Sequence, residues 1–301
     1  MEDLVIHEIP SLRNPVLVTA FAGWPDAGEA GTHALRYLIH KLSARRCATL
    51  QPEKFYDFTR LRPHTLVNEK GERFLHWPTC EFFYGTSGDK DLVLFLAIEP
   101  HLKWLTFTDT VMSLADRCQV KMLVTLGAFL DAIPHSFPPR VSGRSNDTQW
   151  MKALDNLGVR FSSYQGPTSI HSTFYEACQQ RSLPWVTLWG HVPHYVEVAP
   201  SPKISHALLT TLSKLLGLPI DLEELRVASA EFDHALEEAL AKNPELTAYV
   251  KQLEDHYTES SAGAGEGGAI SEPLMKELEG FLRREREKRN KGNSPEGDGP
   301  S

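Results

Sequence analysis

An α/β fold, with a mostly parallel central sheet flanked by helices and a helical C-terminal extension, is predicted by three observations. Apolar runs of strand length recur at residues 15–23 (PVLVTAFAG), 91–98 (DLVLFLAI), 120–126 (VKMLVTL) and 184–189 (PWVTLW), each closed by a glycine or by Glu-Pro. Such continuous runs are the pattern of strands buried on both faces. Segments of helical period separate them, which gives the strand–helix alternation of a parallel sheet. From Asp221 onward the sequence changes to charged helical stretches.

Taken in order, the first strand leads into a helix whose Ala34, Leu35, Leu38 and Leu42 share one face, with His33, Arg36 and Lys41 elsewhere. Residues 47–84, rich in Phe, Tyr, Trp and Thr, read as shorter antiparallel strands on the sheet edge. A helix over 103–117 joins the second strand to the third. Helices over 170–180 and 204–216 bracket the fourth, with Pro200 and Pro202 leading into the latter, where proline is at home. The expected organisation is a core domain over 1–220 and a helical extension over 221–257, broken at Asn243-Pro244. A flexible linker over 258–270 follows, then a charged helix and disordered tail over 271–301. There is no internal repeat.

Composition narrows the function. The 301 residues are 41% hydrophobic and 23% charged, the mix of a folded protein. A net charge of −8 and a pI near 5.9 argue against nucleic-acid or anionic-membrane partners, which require basic surface. The apolar run at 92–98 is far shorter than the roughly 18 residues that span a bilayer. The opening MEDLVIHEIP is acidic and too briefly apolar for a signal peptide. Cys47, Cys80, Cys118 and Cys178 form neither a CxxC pair nor a disulfide framework, which fits a reducing compartment. The expectation is a cytoplasmic protein without cofactor.

Several motifs fall away on context. Gly263, Gly265 and Gly268 match GxGxxG, but they follow a serine-alanine linker where a dinucleotide site needs a strand. Asn146-Asp147-Thr148 spells a glycosylation sequon that a cytoplasmic chain does not use. Walker A, HExxH and GxSxG sequences are absent. His191 and His194 are three apart, but Pro193 prevents a helical face and no third ligand is near, so no metal is expected. Ser136, Ser142 and Ser169 have no recognisable activating neighbour.

The sharpest local feature is GWPDAGEAG at 23–31, at the carboxyl end of the first strand, where open α/β sheets place ligands. Asp26 and Glu29 have capping-box spacing, so Asp26 is expected to accept from the amide three residues on while Glu29 reaches back. Gly28 and Gly31 would let the helix approach the sheet. The alternative is a polar pocket floored by Asp26 with Trp24 as a wall. Two carboxylates at this terminus disfavour a phosphate cradle. Glu99 and His101 follow the second strand and Asp131 the third. Together with Asp26 they form the constellation expected for general acid–base work, and His135 and His194 complete the candidate pocket. Polar residues at strand ends are also ordinary in parallel sheets.

GWPDAG at 23–28, GPTSI at 166–170 and LWGHVPHYVEVAPSP at 188–202, in that order, resemble the proteasome assembly chaperone 2 family in its actinobacterial branch. The resemblance covers about residues 15–225. It implies a purine nucleoside phosphorylase-like α/β core, no established reaction, and proteasome subunits as the partners of the eukaryotic namesakes. The family's Pro-His-Thr-Arg-Pro run is altered here: Pro134 and His135 are followed by Ser136 and Phe137, so its arginine is missing, with Arg140 or Arg144 as the nearby substitutes. That loss weakens any anion site and with it an enzymatic role.

Three functional readings follow. The first is a non-enzymatic oligomeric scaffold or assembly chaperone with protein partners. The second is a phosphorylase- or hydrolase-type enzyme acting through the strand-end pocket, and the third a ligand sensor using that pocket without turnover. An open pocket lined by Asp26, Glu99, His101 and Asp131 favours the last two; a pocket plugged by Trp24 or Phe129 favours the scaffold. Phe74, Trp77, Phe82, Phe83 and Tyr84 are expected to be an exposed aromatic surface that a homotrimer covers, the resemblance implying a closed cyclic assembly. The alternative cover is the helical segment 221–257 folding back.

Overall fold

Strands that are apolar on both sides must lie between two layers of helices, and four of them form the centre of an eight-stranded sheet of order β1-β3-β6-β7-β2-β8-β10-β9. The structure, a computed structural model, describes residues 3–160 and 164–262. Strands β7 (Lys90–Ile98), β2 (Val16–Ala22), β8 (Met122–Asp131) and β10 (Trp185–Pro193) are mutually parallel. Antiparallel strands complete both sides: β1 (Leu4–Ile6), β3 (Arg45–Leu50) and β6 (Glu81–Ser87) on one, β9 (Val141–Ser145) on the other.

Alternation along the strands splits the core in two. Val18, Leu94, Val124 and Leu188 face helices α1 (Ala30–Lys41) and α5 (Pro202–Leu216). Leu17, Phe95, Leu123 and Trp185 face α2 (Trp104–Arg117) and α4 (His171–Gln180). The loops leaving β2 and β7 therefore turn to opposite faces, the switch that opens a crevice at the carboxyl ends of an α/β sheet.

Several elements differ from the expectation. The polar strand β9, with the sequence VSGRS, lacks the apolar signature and forms because an edge strand needs only one partner, β10. Helix α3 (Thr148–Asn156) was not anticipated either; Asp147 caps it by accepting from Gln149 N and Trp150 N. Of the 47–84 segment, β4 (His64–Val67) and β5 (Arg73–His76) pair only with each other, as a separate exposed hairpin. Phe82 is not surface but core, stacked on Phe95 at 4.1 Å, whereas Phe74 and Trp77 stay exposed and Phe83 and Tyr84 are half-buried. Helix α6 (Glu223–Ala241) packs on α5 rather than over the aromatic hairpin.

The chain divides into two compact units, residues 1–247 and 248–301. The sheet and the candidate site belong to the first. Helix α7 (Pro244–Ala262) runs past Tyr257 into the segment expected to be linker, and the expected helix from Ser271 lies outside the described residues.

Close approach of α1 to the sheet depends on Gly31. A Cβ there would lie 3.0 Å from the Leu126 carbonyl oxygen and 3.1 Å from Asp26 Oδ1, too near for either backbone or a locked side chain to yield. Gly31→Ala is therefore expected to destabilise the protein by about 1–3 kcal/mol, despite alanine's better helix propensity. Urea denaturation measures the change, and an unaltered midpoint would refute the packing argument.

Candidate functional site

The carboxyl ends of the parallel strands carry all seven candidate residues, but their side chains do not converge on one pocket. Gly23, at φ 113°, turns the chain out of β2, and the Pro25 carbonyl then accepts from Ala128 N of β8 at 2.8 Å. This brings Asp26 beneath α1, where its Oδ1 accepts from Gly31 N at 2.7 Å and Thr32 N at 3.2 Å. Its Oδ2 accepts from Thr32 Oγ1 at 2.5 Å, and that oxygen in turn accepts from Arg36 at 3.2 Å. The expected capping box is corrected: the Glu29 amide bonds the Asp26 carbonyl, not its side chain, and the Glu29 carboxylate lies in solvent near Arg36. The reason is the backbone. Gly28 and Glu29 both adopt left-handed conformations, at φ 56° and 49°, which fold the chain back and carry the capping carboxylate to the next turn.

Glu99 and His101 serve other segments. Glu99 Oε1 accepts from Ile170 N, the residue before α4, at 2.9 Å. His101 Nδ1 accepts from Asp57 N at 3.2 Å, and its ring meets Tyr56 edge-on. Burial raises the pKa of both Asp26 and Glu99 above the ordinary carboxylate value, their hydrogen bonds opposing it. Trp24, expected as a wall or plug, is 62% exposed.

The remaining candidates do come together. Asp131 Oδ2 lies 2.7 Å from His191 Nδ1, and His191 Nε2 lies 2.9 Å from Ser142 Oγ, a relay across β8, β10 and β9. Ser142 thus has the imidazole neighbour that its sequence context did not reveal. Asp131 Oδ1 also accepts from Ala132 N, and the Phe129 ring covers His191 at 4.4 Å. Burial pushes the Asp131 carboxyl up, but the His191 bond and charge outweigh it and hold the group below its ordinary value. His194 donates from Nδ1 to the Asp131 carbonyl at 3.1 Å, and burial lowers its basicity. The Tyr195 hydroxyl lies 2.7 Å from His135 N and 2.8 Å from His135 Nδ1.

A cation that does stand beside Pro134-His135 is Lys203, bonded to the His135 carbonyl and paired with Asp233 at 2.8 Å, beside an apolar cleft between Pro134, Phe137, Phe232 and Leu236. Sequence reasoning missed Ser142, Tyr195 and Lys203 because their partners lie 49, 60 and 68 positions away. His191 was weighed only as a metal ligand; among the described residues no group of three His, Cys, Asp or Glu could hold an ion.

Two outcomes follow. Asp26→Asn keeps the Oδ1 acceptor and is expected to change stability little, whereas Asp26→Ala leaves two buried amides bare and costs about 1–2 kcal/mol. Because the folded-state value of Asp26 is raised, the charged form is the less favoured one. Wild type should therefore gain stability over Asp26→Asn as pH falls through that raised value toward 3.8, as thermal melts at stepped pH would record. The Asp131–His191 pair behaves oppositely: its contribution is present above the unfolded carboxyl value and lost as pH falls through the lowered one. Asp131→Asn should flatten the acid limb of the stability profile, and an identical limb in the variant would contradict the pairing.

The PAC2 family model matches residues 20–240. A PAC2 family protein from Streptomyces avermitilis is 35% identical, over 78% of this chain and 99% of its own, with a TM-score of 0.71. A proteasome-assembly chaperone homologue from Mycobacterium tuberculosis is 33% identical over the same shares, also at TM-score 0.71. PbaB of Pyrococcus furiosus, an archaeal proteasome activator, shares the fold at 19% identity, a TM-score of 0.64, and 79% and 99% coverage. Comparison with curated proteins returns no match. The chain belongs to the PAC2 family.

Proposed function

We propose that this PAC2 family member is a non-enzymatic, oligomeric protein-binding scaffold of the assembly-chaperone kind, acting in the cytoplasm on protein partners. One observation carries the reading. At the strand ends the acids and bases expected for catalysis are bonded to backbone amides or to one another, while large apolar side chains face solvent. Trp24, Leu102, Leu105, Leu130 and Val198 are exposed at this end of the sheet. Exposed tryptophan and leucine on a rigid rim are the anchors that protein interfaces use. The likeness to a mycobacterial assembly-chaperone homologue supports proteasome subunits as the partner class. Four free, buried cysteines suit a reducing compartment, and among the described residues no helix is long and apolar enough to cross a membrane.

The proposal includes a homotrimer built on the phosphorylase-like core. Its interface is the β4–β5 hairpin, whose Leu66, Val67, Phe74, Leu75 and the following Trp77 are exposed. A two-stranded hairpin is marginal alone and gains from burial against a second copy. Light scattering is expected to give three times 33.8 kDa; a mass of 33.8 kDa at micromolar concentration removes the trimer.

Binding of purified chain to proteasome α subunits, read by co-elution, tests the main reading. A complex that Trp24→Ala with Leu105→Ser abolishes, at unchanged melting temperature, supports it; no complex with wild type overturns it. The hydrolase alternative draws on Ser142–His191–Asp131. Ser142 is 4% exposed, and the nearby amides of Gly143 and His191 already bond Arg160 and Arg140 carbonyls, which leaves them no hydrogen for an oxyanion. Covalent labelling of Ser142 by a fluorophosphonate would revive that alternative.

A further inference from the structure

Buried polar atoms in folded proteins nearly always have hydrogen-bond partners, so a cluster of unpartnered ones needs a physical cause. Six of the nine such side-chain atoms among the described residues lie in one layer. They are the hydroxyls of Thr19, Thr125 and Thr187, both ring nitrogens of His171, and the indole nitrogen of Trp185. Thr125 is the register partner of Thr19 on one side and of Thr187 on the other, so the hydroxyls form a row across β2, β8 and β10. The row faces α2 and α4, because Leu17, Leu123 and Trp185, two residues before each threonine, belong to that core. His171, at the start of α4, closes the layer, its ring 4.8 Å from that of Trp189 and pressed against Gly127. None of these five residues is more than 6% exposed.

The hydroxyls do not bond one another in the structure, although facing threonines on adjacent strands can do so. An oxygen atom seated between two of them, off the line that joins them, reaches both. Valine would fill the same volume without a hydroxyl, and the opposite face of these strands uses it at Val18, Val124 and Val186. Three threonines in register are thus an arrangement for holding something polar.

We propose that this layer encloses a chain of ordered water molecules, one between each adjacent pair of threonine hydroxyls and one at His171. The guest is uncharged because the host is: the row contains no acid or base other than His171. Burial alone, with no charged neighbour contributing, holds that imidazole down at about 3, so it is neutral and offers one donor and one acceptor. Buried waters occur about once per 27 residues and bond two to four polar groups each, and here each bridging water has two threonine hydroxyls.

Oxygen-17 magnetic relaxation dispersion on the full chain counts waters held longer than molecular tumbling. Thr125→Val removes the central hydroxyl, which two of the waters share, and is expected to lower the count by one or two. Thr125→Ser, which keeps the hydroxyl, is expected to restore it. If the layer is dry, Thr125→Val leaves the count unchanged and melts higher, since it deletes a hydroxyl that had no partner. Should Thr125→Val fail to fold, Thr187→Val, which removes an end hydroxyl, is read instead. An unchanged count in the folded variant overturns the proposal.

Discussion

The buried carboxylate of Asp26 joins the end of β2 to the first turn of α1, and the packing of one whole face of the sheet follows from it. A helix N-terminus leaves amides without partners, and here the nearest residues, Gly28 and Glu29, are turned into left-handed conformations and cannot supply a side-chain cap. Asp26 fills the gap from below, bonding Gly31 and Thr32 while its own loop is tied to β8 through the Pro25 carbonyl. The helix is thereby held against Leu126 at a separation that a Cβ at 31 would crowd. Ala34, Leu35 and Leu38 then pack on Val18 and Val124, and α5 closes over them. The raised pKa of Asp26 is the electrostatic cost of placing this joint in the core.

The same device recurs along the rim. Glu99 reaches the amide before α4, and His101 the amide of Asp57. In each case a polar side chain at a strand end completes the hydrogen bonding of a distant backbone segment. Accepting such a bond favours the unprotonated form of the carboxylate or ring nitrogen and fixes its position against the loop. What the rim presents to solvent is instead apolar, with Trp24 foremost. This end of the molecule thus combines polar groups engaged in backbone contacts with apolar side chains open to solvent.

The central strands and the helices between them were legible in the sequence because burial on both faces demands uninterrupted apolar runs, as in residues 15–23 and 91–98. Strand β9 was not, since an edge strand with a single strand partner can be polar and hold a glycine. The rim position of Asp26, Glu99 and Asp131 was also legible, because residues after parallel strands must lie at one end. Their contacts were not. Capping-box spacing assigned Asp26 the wrong amide, as two left-handed residues reset the count. Likewise Phe82 reads as surface in an aromatic stretch, and only the pairing of β6 with β7 stacks it on Phe95 inside the core.

The relay from Asp131 through His191 to Ser142 is best understood through that polar edge strand. A strand with few apolar residues has little to fix its register, and a slip of one residue would turn Ser142 to the opposite face. The imidazole of His191 has a nitrogen for each neighbour, so one side chain on β10 is bonded to both β8 and β9. Its Nδ1–H bonds the carboxylate, and Nε2 lies within hydrogen-bond distance of the serine hydroxyl. The orientation matches that of a hydrolase relay, yet it follows equally from the need to seat β9 in one register. Geometry at three residues thus does not define a reaction; the surrounding amides do, and here they are already bonded within the sheet.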